Sequence, residues 1–163
     1  MRNIVLFVTA ACVLVLVNYN IWQREELIHS GRTVLLELAP IDPRSLMQGD
    51  YMALRYKIAD EKIPPGARDG RMILALDARN VATFRRFAGD AQPAAGEVAF
   101  RYRIRNGKPK LATNAFFFQE KQGNYYSAAK YGEFRLAPDG EAILVALRGA
   151  DLQTLGPQGR AVR

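Results

Sequence analysis

Cysteine and histidine are nearly missing from this sequence, which holds one of each, Cys12 and His29. No intramolecular disulfide can form, and a zinc site made of three or four Cys and His ligands is excluded. The D-x-D-x-D-G loop that would mark a calcium site is absent. With no second histidine and no reactive cysteine, no general acid–base pair stands out, so neither an enzyme nor a cofactor is expected. Internal repeats, low-complexity runs and the strand–helix–strand rhythm of a nucleotide-binding sheet are missing too.

What is present begins with charge and a long apolar run. The net charge is +7. Residues 1–24 hold Arg2 and Arg24 and no acid, which leaves 21 basic against 16 acidic residues, a surplus of +5, in the rest. That surplus permits anionic partners without requiring one.

The segment MRNIVLFVTAACVLVLVNYNIW is apolar from Ile4 to Val17 except for Thr9. Counted to Trp22 as helix, it measures roughly 28 Å, close to the ~30 Å hydrocarbon core of a bilayer. Arg2 precedes it, and Tyr19 and Trp22 sit at its far end, where amphipathic aromatics favour the interface. An uncleaved signal anchor is expected, with the N-terminus in the cytoplasm and the remainder outside. A cleaved signal peptide needs a small-x-small site, which the residues from Asn18 to Trp22 do not offer. Lipidation at Cys12 would follow too short an apolar stretch, and a cysteine facing lipid or a helix partner is the plainer reading.

The body reads as strands. Residues 1–22 form the anchor, 23–32 a polar, partly helical stalk broken by Gly31, 33–155 a β domain and 156–163 a polar tail. The first strand spans 33–38 and stops at Pro40 and Pro43. After the turn-type pair Gly49-Asp50, the residues Met52, Leu54, Tyr56 and Ile58 alternate with Tyr51, Ala53, Arg55 and Lys57. Period two means a strand with one buried face. It sends Leu54 and Tyr56 to the core, the Tyr56 hydroxyl reaching a partner at the rim, and puts Tyr51 on the opposite face. Residues 60–70 and 89–96 are loops by composition, 71–77 is a strand, and 80–87 is ambiguous between helix and strand. In 97–105, Val98, Phe100, Tyr102 and Ile104 face one way, and Arg101, Arg103 and Arg105 the other. Asn106-Gly107 then signals a hairpin, and Pro138-Asp139-Gly140 a second, between strands over 130–136 and 141–147. The fold class that follows is mostly β: an N-terminal transmembrane helix and a small antiparallel β sandwich or barrel-like domain.

Asp42-Pro43-Arg44-Ser45-Leu46, followed by Gly49-Asp50-Tyr51, Leu54 and Tyr56, resembles the signature of the GDYXXLXY family, bacterial membrane-anchored proteins with one apolar segment and a small extracytoplasmic domain. The resemblance extends to Tyr131-Gly132, Phe134 and Pro138-Asp139-Gly140. Where the family commonly has a Tyr-Phe pair before that last turn, this chain has Arg135-Leu136-Ala137. The resemblance implies residence in the bacterial inner membrane with a periplasmic domain. It also implies a polytopic membrane protein as partner. A weaker likeness, of residues 44–50 to the stretch after the nucleophile of type I signal peptidases, fails chemically. Ile41 stands where those enzymes carry the serine that a lysine activates.

Six residues are candidates for binding. Asp50 is a turn residue that can also meet a ligand or partner, and Tyr51 belongs to a second sheet or to a binding surface. Arg101, Arg103 and Arg105 form a basic ladder, extended by Lys108 and Lys110. It is neutralised by cross-strand acids such as Glu120 or Glu133, or it holds anionic lipid or a cell-wall polymer. Nucleic acid is not expected in that compartment. Phe117, within 116–118, lies in a strand buried on both faces or on a partner surface. The leading expectation is therefore an extracytoplasmic accessory protein, and the alternative an envelope binding module acting through the arginine ladder.

Overall fold

The computed structural model describes residues 2–39, 47–48, 51–62, 64, 68–89, 91–120 and 122–157. Among these residues one long helix, α1 (Arg2–Ser30), precedes ten strands. Residues 3–30 are long and apolar enough to cross a membrane, and the apolar window within them is not buried by the rest of the chain. Two asparagines interrupt its apolar character, and each is satisfied within the helix. Asn18 Nδ2 donates to the Leu14 carbonyl at 2.8 Å and Asn20 Nδ2 to that of Leu16 at 2.7 Å. In hydrocarbon such internal pairing removes most of the cost of an amide.

Residues 23–30, read above as a partly helical stalk, continue the same helix. At about 1.5 Å per residue α1 is roughly 43 Å long, about 13 Å more than the hydrocarbon core needs. The excess does not hold the β domain at a distance, because α1 packs against two of its strands, β9 (Tyr131–Leu136) and β10 (Ala142–Arg148). Arg24 Nη1 donates to Glu141 Oε1 at 2.6 Å. The helix ends at Gly31, where a Cβ would clash with the Leu27 carbonyl oxygen and lie 3.0 Å from Arg135 Cβ. Glycine there lets the chain turn at once into β1 (Arg32–Glu37).

The strands form three antiparallel sheets. The first has the order β1-β9-β10. The second has the order β2-β3-β8, made of Met47–Gln48, Tyr51–Ala53 and Ala115–Phe117. The third has the order β5-β4-β6-β7, made of Ala82–Phe87, Gly70–Leu76, Glu97–Arg105 and Lys108–Leu111. Bridges join them, Leu35 to Val81 and Leu38 to Tyr56. The result is a half-barrel-like wrap around one main core, with a small second cluster of Ile73, Ala88 and Ala99, the architecture expected from the strand pattern. The ambiguous stretch near residue 80 is strand, β5. The hairpin between β6 and β7 turns on Asn106 and Gly107 with φ of 53° and 68°, the left-handed pair that a two-residue connection requires.

The core collects Val34 and Leu36, Met52 through Ile58 in alternation, Met72, Leu74, Phe100, Phe134 and Leu147. Alternation persists although β3 ends at Ala53: Met52, Leu54, Tyr56 and Ile58 are all buried, and Lys57–Asp60 is a 3₁₀ turn. The period of two therefore reported which side chains go inward more faithfully than it reported hydrogen bonding.

On the rim of the third sheet Glu97 takes a bidentate pair from Arg86 at 2.8 and 2.9 Å, and the Ala94 N–H at 3.0 Å. The Arg86 hydrogen bonds, then the Ala94 N–H, hold its carboxyl down at about 2. A carboxyl lowered on folding stabilises the native state above its unfolded pKa of ~4.3, and that contribution is lost as pH falls toward the native value. Glu97→Gln should therefore flatten the loss of stability between about pH 4.5 and 2, measured as the denaturation midpoint of the full chain in detergent. An unchanged acid slope would remove Glu97 as its source.

Candidate functional site

Two surfaces carry the candidate residues. The first is the second sheet. Tyr51 and Phe117 are directly opposite on β3 and β8, with ring centroids 5.8 Å apart. Tyr51 is half-buried, while Phe117 is 75% exposed. The neighbours of Phe117 turn inward: Phe116 and Phe118 lie 5.0 and 5.4 Å from the Tyr126 ring. The strand at 116–118 is thus not buried on both faces. Its odd member projects because β8 is the outer strand of its sheet and nothing among the described residues covers that side. Gly49 and Asp50 lie outside the described residues.

The remaining motif residues are core. Tyr56 packs edge-on against Phe134 at 5.5 Å, and a Cβ on Gly132 would lie 3.3 Å from Tyr56 Cε1 and 3.2 Å from Phe134 Cε2. Gly132 therefore makes room for the Tyr56 ring, so two motif blocks far apart in sequence meet. The Tyr56 hydroxyl does not reach the rim as expected. It is buried with no hydrogen-bond partner among the described residues, and burial pushes the phenol well above its usual range. The ring follows the inward alternation into the hydrophobic core cluster.

The second surface is the outer face of β6. Arg101, Arg103 and Arg105 are all exposed there. The strand register adds what the sequence could not. Arg71 on β4 is directly opposite Arg101, Lys110 on β7 opposite Arg103, and Lys108 opposite Arg105. All three cross-strand pairs are like-charged. All of these side chains except Lys108 line an open groove of about 920 Å³ whose lining also includes Arg24 of α1 and Asn114.

The neutralising acids are not Glu120 and Glu133. Arg101 pairs with Asp139 at 3.0 Å, Arg105 with Asp69 at 3.6 Å, and Arg24 with Glu141. Glu133 is 4% exposed on the central strand of the first sheet, where Arg148 Nε donates to it at 2.6 Å and Arg135 Nη2 lies at 3.6 Å. Its strand belongs to another sheet, so it cannot face β6 across a ladder. The groove holds six cations, Arg24, Arg71, Arg101, Arg103, Arg105 and Lys110, and three acids, Asp69, Asp139 and Glu141. Arg71, Arg103 and Lys110 are left with no acidic partner among the described residues.

The two surfaces are separate: neither Tyr51 nor Phe117 lines the groove. Among the described residues no cluster of three or more His, Cys, Asp or Glu could hold a metal ion. Sequence reasoning missed Arg71 and Arg24 as groove residues. Their only signal was charge within a strand and a helix, and their position depends on pairings made across the fold.

The family description "GDYXXLXY protein" matches residues 13–147. No curated protein and no solved structure matches the chain. The match spans most of the sequence, from within α1 to β10, and the chain belongs to the GDYXXLXY family.

Proposed function

We propose that this protein is a non-catalytic accessory subunit. In this reading α1 spans the inner membrane with the N-terminus in the cytoplasm, and the β domain on the periplasmic side binds a polytopic membrane protein. The observation that carries the reading is Phe117, three-quarters exposed over Tyr51 on an outer strand. A large aromatic presented in this way, on a domain packed against its own anchor, is the kind of residue that dominates interface energies. Arg2 ahead of the apolar run supports the orientation. In this reading α1 keeps the domain at the membrane surface, within reach of a polytopic membrane protein.

The test is purification of the full-length protein from its own membranes in mild detergent, with co-purifying proteins identified by mass spectrometry. A polytopic protein recovered in stoichiometric amount and retained at high salt is expected, because an apolar contact is little screened. Phe117→Asp should release it while leaving the domain folded, with a loss of about 2 kcal/mol or more in binding, the usual threshold for a dominant interface residue. Recovery of the chain alone would contradict the reading.

A further inference from the structure

We propose that the outer face of β6 is a binding site for the phosphate of an anionic phospholipid headgroup. The proposal needs α1 to lie in a bilayer but does not depend on a protein partner at Phe117.

Like charges directly opposite each other on a sheet are destabilising, yet this face repeats the arrangement at Arg71/Arg101, Arg103/Lys110 and Arg105/Lys108. Three groove cations are matched by the carboxylates of Asp69, Asp139 and Glu141, whereas Arg71, Arg103 and Lys110 have no acidic partner among the described residues. A bound anion would relieve the repulsion. Guanidinium forks suit a phosphate, whose oxygens accept paired N–H donors.

The position of the groove selects the source of that phosphate. Arg24 forms part of its wall, and Arg24 stands two residues beyond Trp22, whose ring lies 6.1 Å from that of Tyr19 at the end of the apolar run. Two residues of helix advance only about 3 Å, which places Arg24 among the headgroups. One end of the groove therefore opens where lipid phosphates are densest. A polymer or free phosphate gains nothing from that placement.

The experiment titrates full-length protein in neutral detergent with short-chain phosphatidylglycerol or phosphatidylcholine, with inorganic phosphate and a glycerol-phosphate polymer as competitors. Phosphatidylglycerol should bind at least about tenfold more tightly than the zwitterionic lipid and weaken steeply with salt. The double variant Arg71→Glu with Lys110→Glu converts two of the like-charge pairs into opposite-charge pairs. It should lose at least about 30-fold in phosphatidylglycerol affinity while its melting midpoint stays level or rises. Arg71→Gln with Lys110→Gln should lie between, and replaces the double Glu variant if that one fails to fold. Equal affinity for the two lipids would overturn the proposal. So would a folded variant that keeps the preference, or displacement of the lipid by inorganic phosphate or polymer at matched phosphate concentration.

Discussion

Replacing Phe134 with Ala should cost about 3–5 kcal/mol, a large share of the ~5–15 kcal/mol that holds a domain of this size together. Phe134 is fully buried on the central strand of the first sheet. Its ring meets Phe100 of the third sheet at 5.6 Å, in an edge contact, and Tyr56 at 5.5 Å. It therefore links the first sheet both to the third and to the segment leading out of β3. Truncation removes the transfer energy of a phenyl group and leaves a cavity whose walls are strands, which cannot easily collapse. Phe134→Leu keeps most of the volume and should cost clearly less, about 1.5 kcal/mol. Amide hydrogen exchange of the full chain in detergent, read over residues 131–136, separates these outcomes from any change in α1. A loss below about 1 kcal/mol for the Ala variant would mean that the cavity can be refilled, and that the first and third sheets are not joined through this ring.

Glu133→Ala is the second large effect, about 3 kcal/mol. Glu133 is the one buried charged residue among those described. Its carboxylate takes Arg148 at 2.6 Å and has Arg135 at 3.6 Å, both arginine side chains being 29% exposed. Removing one partner of a buried pair leaves the other desolvated without compensation, for which ~3–5 kcal/mol is usual. The partial exposure of the arginines puts this case at the lower end. Arg148 has a second tie, donating to the Leu152 carbonyl at 2.9 Å, so loss of Glu133 should also loosen the segment after β10. Glu133→Gln keeps the shape and should cost less than Ala. Equal stability of wild type and the Ala variant would show that the carboxylate is not what holds β9 and β10 in register.

Much of this arrangement could be read in the sequence, for local reasons. Met52, Leu54, Tyr56 and Ile58 were placed inward by a period of two, and their burial follows it even where the strand gives way to a 3₁₀ turn. Asn106-Gly107 and Pro138-Asp139-Gly140 set hairpins because few residues accept the backbone angles needed there. The features that escaped prediction depend on which strands pair. The arginine ladder calls for cross-strand acids such as Glu120 or Glu133, but the strand of Glu133 lies in a different sheet, and Asp139 and Asp69 reach the arginines instead. The opposition of Arg71 to Arg101 follows from a register that nothing within either strand specifies. Residues 116–118 looked uniformly apolar, yet the outer position of β8 leaves Phe117 in solvent. The polar residues of 23–30 suggest a stalk, whereas the helix continues through them, packs on β9 and β10 and pairs Arg24 with Glu141.

The most direct test of the accessory-subunit reading is photo-crosslinking in living cells. Phe117→p-benzoylphenylalanine in the full-length chain should give one discrete adduct with a polytopic membrane protein, and the same substitution at Arg103 should not give that adduct. If position 117 yields no protein adduct although the chain is folded and membrane-inserted, the exposed aromatic is not an interface and the account of this protein as a partner-binding subunit is wrong.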